Sequence, residues 1–420
     1  MKVSLFSQVP YRKLPADFEQ HHDSVVTTPW SLTEPGEVRA AFKDALDQLL
    51  HGARRGFDGV AFTEHGQSAY DMAPNPSLIG SALAYATESE GLQTAICSFG
   101  RSLGKSREPV RVAEEMAMLD CISGGRLVAG FPVGLAYDAS FNNGVPPIET
   151  RGRFDENLPL VLRAWAEPEP FAHNGQFSQY PSVNIWPRPL QERPPVWITG
   201  IGNPATMQFT LENDFGFNYF GWFGVKQTGG QIFDRFWGLA DKLGQPRNPY
   251  RMGLMQSICV GETDAQAREA YGEHVLVFFR QMVGGIPMGK LALPGGIGLP
   301  GLQAIMRDPS DFGMYHRMKT ATLDDLIEAG CIVIGSAETV AEQLEEIAQK
   351  FGVGHLLAML QVGSMGRELT LENIDRFAEG VLPRLKGVFG EDGWDSHWWP
   401  ERLGGKPSGA GQESRPLAEV

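Results

Sequence analysis

"LDCISGGRLVAGFPVG", residues 119–134, sets two glycines and an arginine between a helical run and a strand-like run. A glycine turn that follows a strand and opens a helix cradles phosphate, whereas one that follows a helix and opens a strand lies at the opposite end of the unit. Val110, Ala113, Met116, Ala117 and Cys121 recur at helical spacing just upstream, so Gly124 and Gly125 follow a helix C-terminus. Such a terminus offers carbonyls, not free N–H groups, to an anion. The loop therefore belongs to the floor of a strand–helix array, with Asp120 and Arg126 expected as a structural pair closing it.

Outward from this loop, short β-branched or aromatic runs alternate with amphipathic segments. Strands are expected at 2–8, 59–64, 92–99, 126–132, 195–200, 216–222, 251–261 and 355–363. Helices are expected at 36–56, 75–88, 108–122, 151–166, 203–214, 263–283, 336–350 and 370–386. Eight strand–helix units predict an α/β protein, a closed (β/α)8 TIM barrel, because no GxGxxG follows the first strand as in an open nucleotide-binding sheet. Residues 167–193, rich in proline and aromatics, predict a hairpin insertion before the fifth strand. Residues 284–325 contain "GGIPMGKLALPGGIGLPG" and predict a Gly/Pro-rich lid insertion after the seventh. The expected organisation is a barrel domain over 1–390 and a C-terminal extension over 391–420, disordered from about residue 403.

Composition narrows the function. With 42% hydrophobic and 20% charged residues in 420, the chain buries a large core, and its net charge of -14 argues against nucleic acid or an anionic membrane as partner. Cys97, Cys121, Cys259 and Cys331 stand far apart, without metal-ligand spacing or a disulfide framework. With no secretory leader and no bilayer-length apolar run, a reducing cytoplasm is the expected location and no metal is expected.

Two segments carry the chemistry. "VWITGIGNPATM" (196–207) leaves a strand, turns through Gly200 and Gly202, and enters a helix with Asn203 as N-cap, Pro204 at the first helical position and Thr206 in the first turn. That is the geometry of a phosphate cradle, and equally of an ordinary capped turn. "FTEHGQS" (62–68) puts Glu64 and His65 at the C-terminal end of the second strand, where barrel enzymes place reactive groups. The pair lacks the partner spacing of a zinc site, and a structural strand-end histidine is the plain alternative.

Taken together, "GFDGVAFTEHGQS" (56–68), "APNPSLIGSALAYATESEGLQTAICS" (73–98), "REPVRVAEEMAMLDCISGGRLVAGFPVGLAYDASF" (107–141), "RFDENLPLVLRAW" (153–165), "PPVWITGIGNPAT" (194–206) and the 335–386 region resemble, in order, the bacterial luciferase-like flavin-dependent oxidoreductases. The resemblance implies a barrel that binds reduced FMN and a monooxygenase that oxidises a hydrophobic organic substrate with O2 through a flavin C4a-(hydro)peroxide. It also implies a separate flavin reductase as FMNH2 donor, and a homodimer. His65 matches the histidine near the reactive flavin edge, and Glu64 precedes it as in the family. Cys97 and Ser98 align with a pair that often forms a cis peptide under the isoalloxazine. Gly200, Gly202, Asn203 and Thr206 fall on the phosphate loop, and Tyr137 is expected at the same mouth. Where luciferase has a Cys-Arg pair this chain has Pro132-Val133, so Arg101, Lys105 or Arg107 would have to supply the phosphate charge. The second histidine of the frequent Glu-His-His is Gly66 here. Apolar lid residues such as Met282, Ile286, Met288 and Leu291 favour a hydrophobic or partly aromatic substrate, or a dimer contact. A deazaflavin-dependent hydride-transfer enzyme and a non-catalytic flavin-binding protein remain as alternatives within the same fold.

Overall fold

The computed structural model describes residues 1–291, 293, 303, 314–315, 317–390 and 393–406. In chain order its strands are β1 (Lys2–Ser7), β2 (Gly59–Phe62), β3 (Ala95–Ser98), β4 (Leu127–Gly130), β5 (Phe171–Asn174), β6 (Gln179–Val183), β7 (Val196–Gly200), β8 (Gly216–Phe220), β9 (Met252–Gly261), β10 (Ile332–Ser336) and β11 (His355–Met359). Eight of them, β1-β2-β3-β4-β7-β8-β9-β11, form a closed parallel barrel, sealed where Lys2 of β1 pairs with His355 of β11. The antiparallel β5–β6 pair is the hairpin expected before the fifth barrel strand.

Around the barrel run α1 (Pro35–Arg54), α2 (Pro76–Ser89), α3 (Pro109–Ile122), α4 (Thr150–Ala166), α5 (Pro204–Glu212), α6 (Val225–Lys242), α7 (Asp264–Val277), α8 (Leu323–Ala329), α9 (Ala337–Phe351) and α10 (Arg367–Gly380). Strand residues alternate between two apolar layers, as a two-residue period requires. Val3, Leu5, Val60, Phe62, Ile96, Leu127 and Ile198 pack with the helices. Phe6, Ala61, Cys97, Val128, Trp197, Met255 and Leu357 belong to a second cluster, which fills the barrel. Trp197 is the largest of these. A Cβ at Gly216 would sit 2.5 Å from its indole, so glycine on β8 makes the room that the ring occupies.

Three features depart from the expected elements. The short run "IVIGS" is β10, a ninth parallel strand continuing along β9 from Ser257 to Gly261, beyond the stretch of β9 paired with β8. Helix α6 was not among the expected helices; Gly229 and Gly230 disfavour helix locally, and burial of Phe233, Phe236 and Trp237 overrides that preference. Asp120 and Arg126 are both fully buried on the floor but do not pair with each other. Arg126 donates to Thr94 O at 2.7 Å, Ser123 O at 2.7 Å and Glu88 Oε2 at 3.1 Å, while Asp120 accepts from Gln191 N and Nε2, each at 2.8 Å. The carbonyls near the C-terminal end of α2 attract the guanidinium, leaving Asp120 to tie down the chain entering β7.

Residues 393–406 of the C-terminal extension seal the floor; residues 391–392 and 407–420 lie outside the described residues. Trp398 and Trp399 are buried, Trp197 Nε1 donates to Trp398 O at 2.8 Å, and Trp398 Nε1 donates to Asp214 O at 3.1 Å. Of the expected lid, residues 292, 294–302, 304–313 and 316 lie outside the described residues. The described 284–291 portion reaches the mouth's rim, with Lys290 Nζ 3.2 Å from Thr27 Oγ1. Among the described residues no helix is long and apolar enough to cross a membrane.

His397 clamps the floor between Asp214 and Asp395, with a 2.8 Å contact to each. Burial lowers its pKa, but the two carboxylates outweigh burial and push it up to about 9 from 6.5. Because the folded-state value is the higher one, the clamp's stabilisation is complete below about pH 6.5 and is lost as pH rises through about 9. The melting temperature is expected to decline across that window, and His397→Gln to remove that component of the decline. An identical pH profile for the two proteins would show that the clamp contributes nothing.

Candidate functional site

Parallel strands put all their C-terminal ends at one mouth, and the chemistry-bearing residues gather there. At the β7–α5 turn, Gly202 adopts φ +101°, a backbone conformation that favours glycine, and a Cβ there would also meet Ile232 at 2.3 Å. Asn203 caps α5 as expected, its Oδ1 accepting from Ala205 N at 2.9 Å and Thr206 N at 3.5 Å. Two arginines hold this turn from outside its own segment. Arg235 Nη1 of α6 donates to Gly202 O at 3.2 Å, and Arg151 Nη1 of α4 donates to Thr206 Oγ1 at 3.0 Å.

Arg151, whose Nε also pairs with Asp155 at 2.9 Å, was not singled out in the sequence, because 55 residues separate it from Thr206. The cations that the sequence did single out are paired away from this turn. Arg101 pairs with Glu64 at 3.1 Å and Glu115 at 3.0 Å, Lys105 pairs with Glu64 at 3.2 Å, and Arg107 donates to Gly144 O. Glu64 therefore sits in a closed ion cluster, with Ser102 N adding a 3.3 Å hydrogen bond. Its carboxylate is directed to the loop after β3, not to the imidazole beside it in sequence.

His65 takes a different partner. Its Nδ1 lies 2.9 Å from Asp138 Oδ2, and Asp138 Oδ1 accepts from Asn142 Nδ2 at 2.7 Å. Asn142 Nδ2 also donates to Gly66 O at 2.8 Å, and a Cβ at Gly66 would come within 3.2 Å of that nitrogen. The glycine in place of the family's second histidine thus leaves room for Asn142 beside Asp138. Burial favours neutral imidazole, but the Asp138 charge and hydrogen bond outweigh it and hold the His65 pKa above its ordinary value. The same pairing, aided by Lys105, outweighs burial at Asp138 and holds that carboxyl below its usual range. With Nδ1–H donated to Asp138, Nε2 is left as the nitrogen available to a ligand.

Cys97 and Ser98 lie inside β3, fully buried. Their peptide bond is trans, since the cis peptide bond among the described residues is Trp186–Pro187. The expected cis bond is corrected by the ladder, in which Cys97 aligns with Ala61 and Val128 and Ser98 with Phe62 and Ala129, all in extended backbone. Cys97 faces Ser4, Sγ to Oγ 4.0 Å, and burial pushes its thiol pKa up. Tyr137 is buried at the mouth, and burial likewise pushes its phenol well above the ordinary value.

Among the described residues, Ser98 Oγ, Tyr137 Oη, Thr199 Oγ1, Trp222 Nε1 and both polar side-chain atoms of Asn218 are buried without a hydrogen-bond partner. They belong to β3, β7, β8 and the segments leaving β4 and β8. Buried polar groups are almost always paired in folded proteins, so Tyr137, Thr199 and Trp222 suit a polar-edged group held within the mouth, whereas Ser98, next to the inward Cys97 and aligned with Phe62 and Ala129, lies on the helix side of β3.

Residues 22–355 match the luciferase-like monooxygenase family, and the chain belongs to it. A 175-residue stretch, 40% of this chain, is 32% identical to the oxygenase component of the flavin-dependent trigonelline monooxygenase of Acinetobacter baylyi and spans 46% of that relative, so less than half its length is matched. Limonene 1,2-monooxygenase of Rhodococcus erythropolis is 21% identical over 379 residues, 89% of each chain. In fold, the chain is similar to the oxygenating constituent of 3,6-diketocamphane monooxygenase of Pseudomonas putida, solved with FMN, at TM-score 0.66 and 18% identity over 91% of this chain and 98% of that one. It is also similar to an F420-dependent secondary alcohol dehydrogenase, at TM-score 0.62 and 15% identity over 91% and 98%.

Removing the Asp138 charge leaves burial as the larger influence on His65. Asp138→Asn is therefore expected to move the imidazole pKa from above 6.5 to below it, read by NMR titration of the ring protons. An unchanged titration would mean that Asp138 does not set the state of His65.

Proposed function

We propose that this chain is the oxygenase of a two-component flavin system, a monooxygenase that uses reduced FMN and O2 to oxidise a hydrophobic organic substrate, with FMNH2 delivered by a separate reductase. The observation that carries this reading is the joint placement, at one mouth, of an arginine-flanked helix N-terminus, a carboxylate-oriented histidine and buried polar atoms without partners. Arg151, Thr206 and the amides of the Gly200–Asn203 turn would hold the phosphate, and Tyr137 and Thr199 would serve the polar edges of the ring system. When bound, reduced FMN supplies the electrons that activate O2.

The chain's own residues then do three things. His65, fixed by Asp138, holds or accepts a proton at Nε2 near neutral pH. The aromatic and aliphatic residues of 278–286, buried over the mouth, keep water out. The cluster of Glu64, Arg101, Lys105 and Glu115 fixes the loop after β3 without leaving a free charge beside the reaction. Leu78 and Tyr85 on α2, with Met118 and Ile122 on α3, are exposed on neighbouring helices and support a homodimer. The four free cysteines suit a reducing cytoplasm.

Anaerobic titration with FMNH2, followed by oxygen and candidate substrates, tests the reading. Oxygen uptake matched by product formation supports it; hydride transfer from a reduced deazaflavin without oxygen uptake overturns it in favour of the other cofactor chemistry. Arg151→Ala is expected to weaken FMNH2 binding about ten- to a hundredfold, as loss of a charged hydrogen bond does. His65→Ala is expected to keep that affinity nearly intact while product formation falls about a hundred- to ten-thousandfold and hydrogen peroxide is released instead. Unaltered flavin affinity in the first variant, or unaltered coupling in the second, removes that residue's assignment.

A further inference from the structure

Three consecutive residues after β2 are tied to one turn after β4. That turn, Asp138–Asn142, is π-helical, a rare geometry found mostly at functional sites. His65 Nδ1 lies 2.9 Å from Asp138 Oδ2, Gly66 O accepts from Asn142 Nδ2 at 2.8 Å, and Gln67 Nε2 donates to Phe141 O at 3.1 Å. Gln67 takes φ +50°, a left-handed conformation uncommon outside glycine, so the chain departs from relaxed backbone where it meets the turn. His65 N donates to Ala73 O at 3.0 Å and closes the base of the same loop.

Asn142 bridges the two sides of this junction. Its Nδ2 donates to Asp138 Oδ1 at 2.7 Å as well as to Gly66 O. The Asp138 side chain is 3% exposed, so water offers little replacement for that donor. A carboxylate turns on a soft terminal torsion, and one contact with His65 does not fix its plane; a donor on the opposite oxygen does. The Gly66 N–H also stabilises the carboxylate, and Asn142 holds Gly66 by its carbonyl. Gly66 makes the arrangement possible. A Cβ there would lie 3.2 Å from Asn142 Nδ2 and 3.4 Å from its Cγ.

From this junction we propose that Asn142 is a positioning residue for His65, acting through Asp138: it aims the carboxylate at Nδ1 and so leaves Nε2 for the reaction, and Gly66 is the residue that admits it. The proposal rests on the reading of His65 as the proton-handling group and adds what aims it. The other charged groups facing the imidazole are Asp71, in the loop after β2, and Lys105, in the loop after β3. Each has a contact of its own, Asp71 with Val9 N at 3.0 Å and Lys105 with Glu64 at 3.2 Å. The Tyr70 ring meets the imidazole edge-on at 5.0 Å.

The test is an NMR titration of the His65 ring in the flavin-free full chain. If Asn142 aims the carboxylate, Asn142→Leu lets it turn away, burial gains on the weakened pairing, and the His65 pKa falls by about 0.5–1. If Asn142 merely shares the Asp138 charge, its removal concentrates that charge on His65 and the pKa rises. A rise, or no change, overturns the proposal. In an Asp138→Asn background the Asn142→Leu substitution is expected to move the titration no further, and a second fall of the same size overturns the route through Asp138. Gly66→Ala, which presses on the amide without removing it, is expected to lower the pKa in the same sense and decides the matter should Asn142→Leu not fold. With FMNH2 and O2 alone, Asn142→Leu is expected to keep its flavin affinity while hydrogen peroxide appears about tenfold faster or more, as a misplaced reactive group allows. A lowered pKa with an unchanged peroxide rate sinks the catalytic reading of His65 alone, and an unmoved pKa sinks this inference alone.

Discussion

Parallel pairing of β1 with β11 closes the barrel, and the arrangement of every residue at the mouth depends on that closure. It brings the ends of β2 and β8 to face each other across a ring, which is why Tyr70 and Trp222 meet although about 150 residues separate them along the chain. It also sends the N-terminal strand ends to the opposite floor, where Trp197, Trp398, Trp399 and the buried Arg126 are packed for stability. The molecule thus separates its tasks along the barrel axis. A dense set of hydrogen bonds holds the floor, and the mouth has buried polar atoms, such as Tyr137 Oη and Thr199 Oγ1, without partners among the described residues.

The electrostatics follow the same division. On the floor, carboxylates, carbonyls and amides close on His397, Arg126 and Asp120. At the mouth, one charge cluster, built on Glu64, is closed by Arg101 and Lys105, and another, built on Asp138, His65 and Asp71, is not.

What the sequence revealed and what it hid divide along a physical line. The helix–Gly-Gly–strand order around Gly124 and the strand–Gly–cap order around Asn203 are local, and both placed their loops at the correct ends of the barrel. His65 at the end of β2 is local as well. The partners were not. Asp138 lies 73 residues from His65, Arg151 lies 55 from Thr206, and neither pairing leaves a spacing pattern to read. The run "IVIGS" was legible as a strand from its β-branched residues, but it adjoins the segment read as a lid. The trans bond at Cys97–Ser98 shows how a family habit fails where the ladder continues unbroken through the position. The contact of the floor segment with Trp197 was hidden because 201 residues separate Trp197 from Trp398.

The central claim is that one mouth places a flavin phosphate beside Arg151 and the working edge of the ring system beside His65. A crystal structure of the chain with bound FMN measures this directly. The account predicts phosphate oxygens within hydrogen-bond distance of Arg151 and the first turn of α5, with the isoalloxazine reaching His65 Nε2. FMN bound elsewhere, or with its phosphate on the Arg101–Lys105 loop, would contradict it.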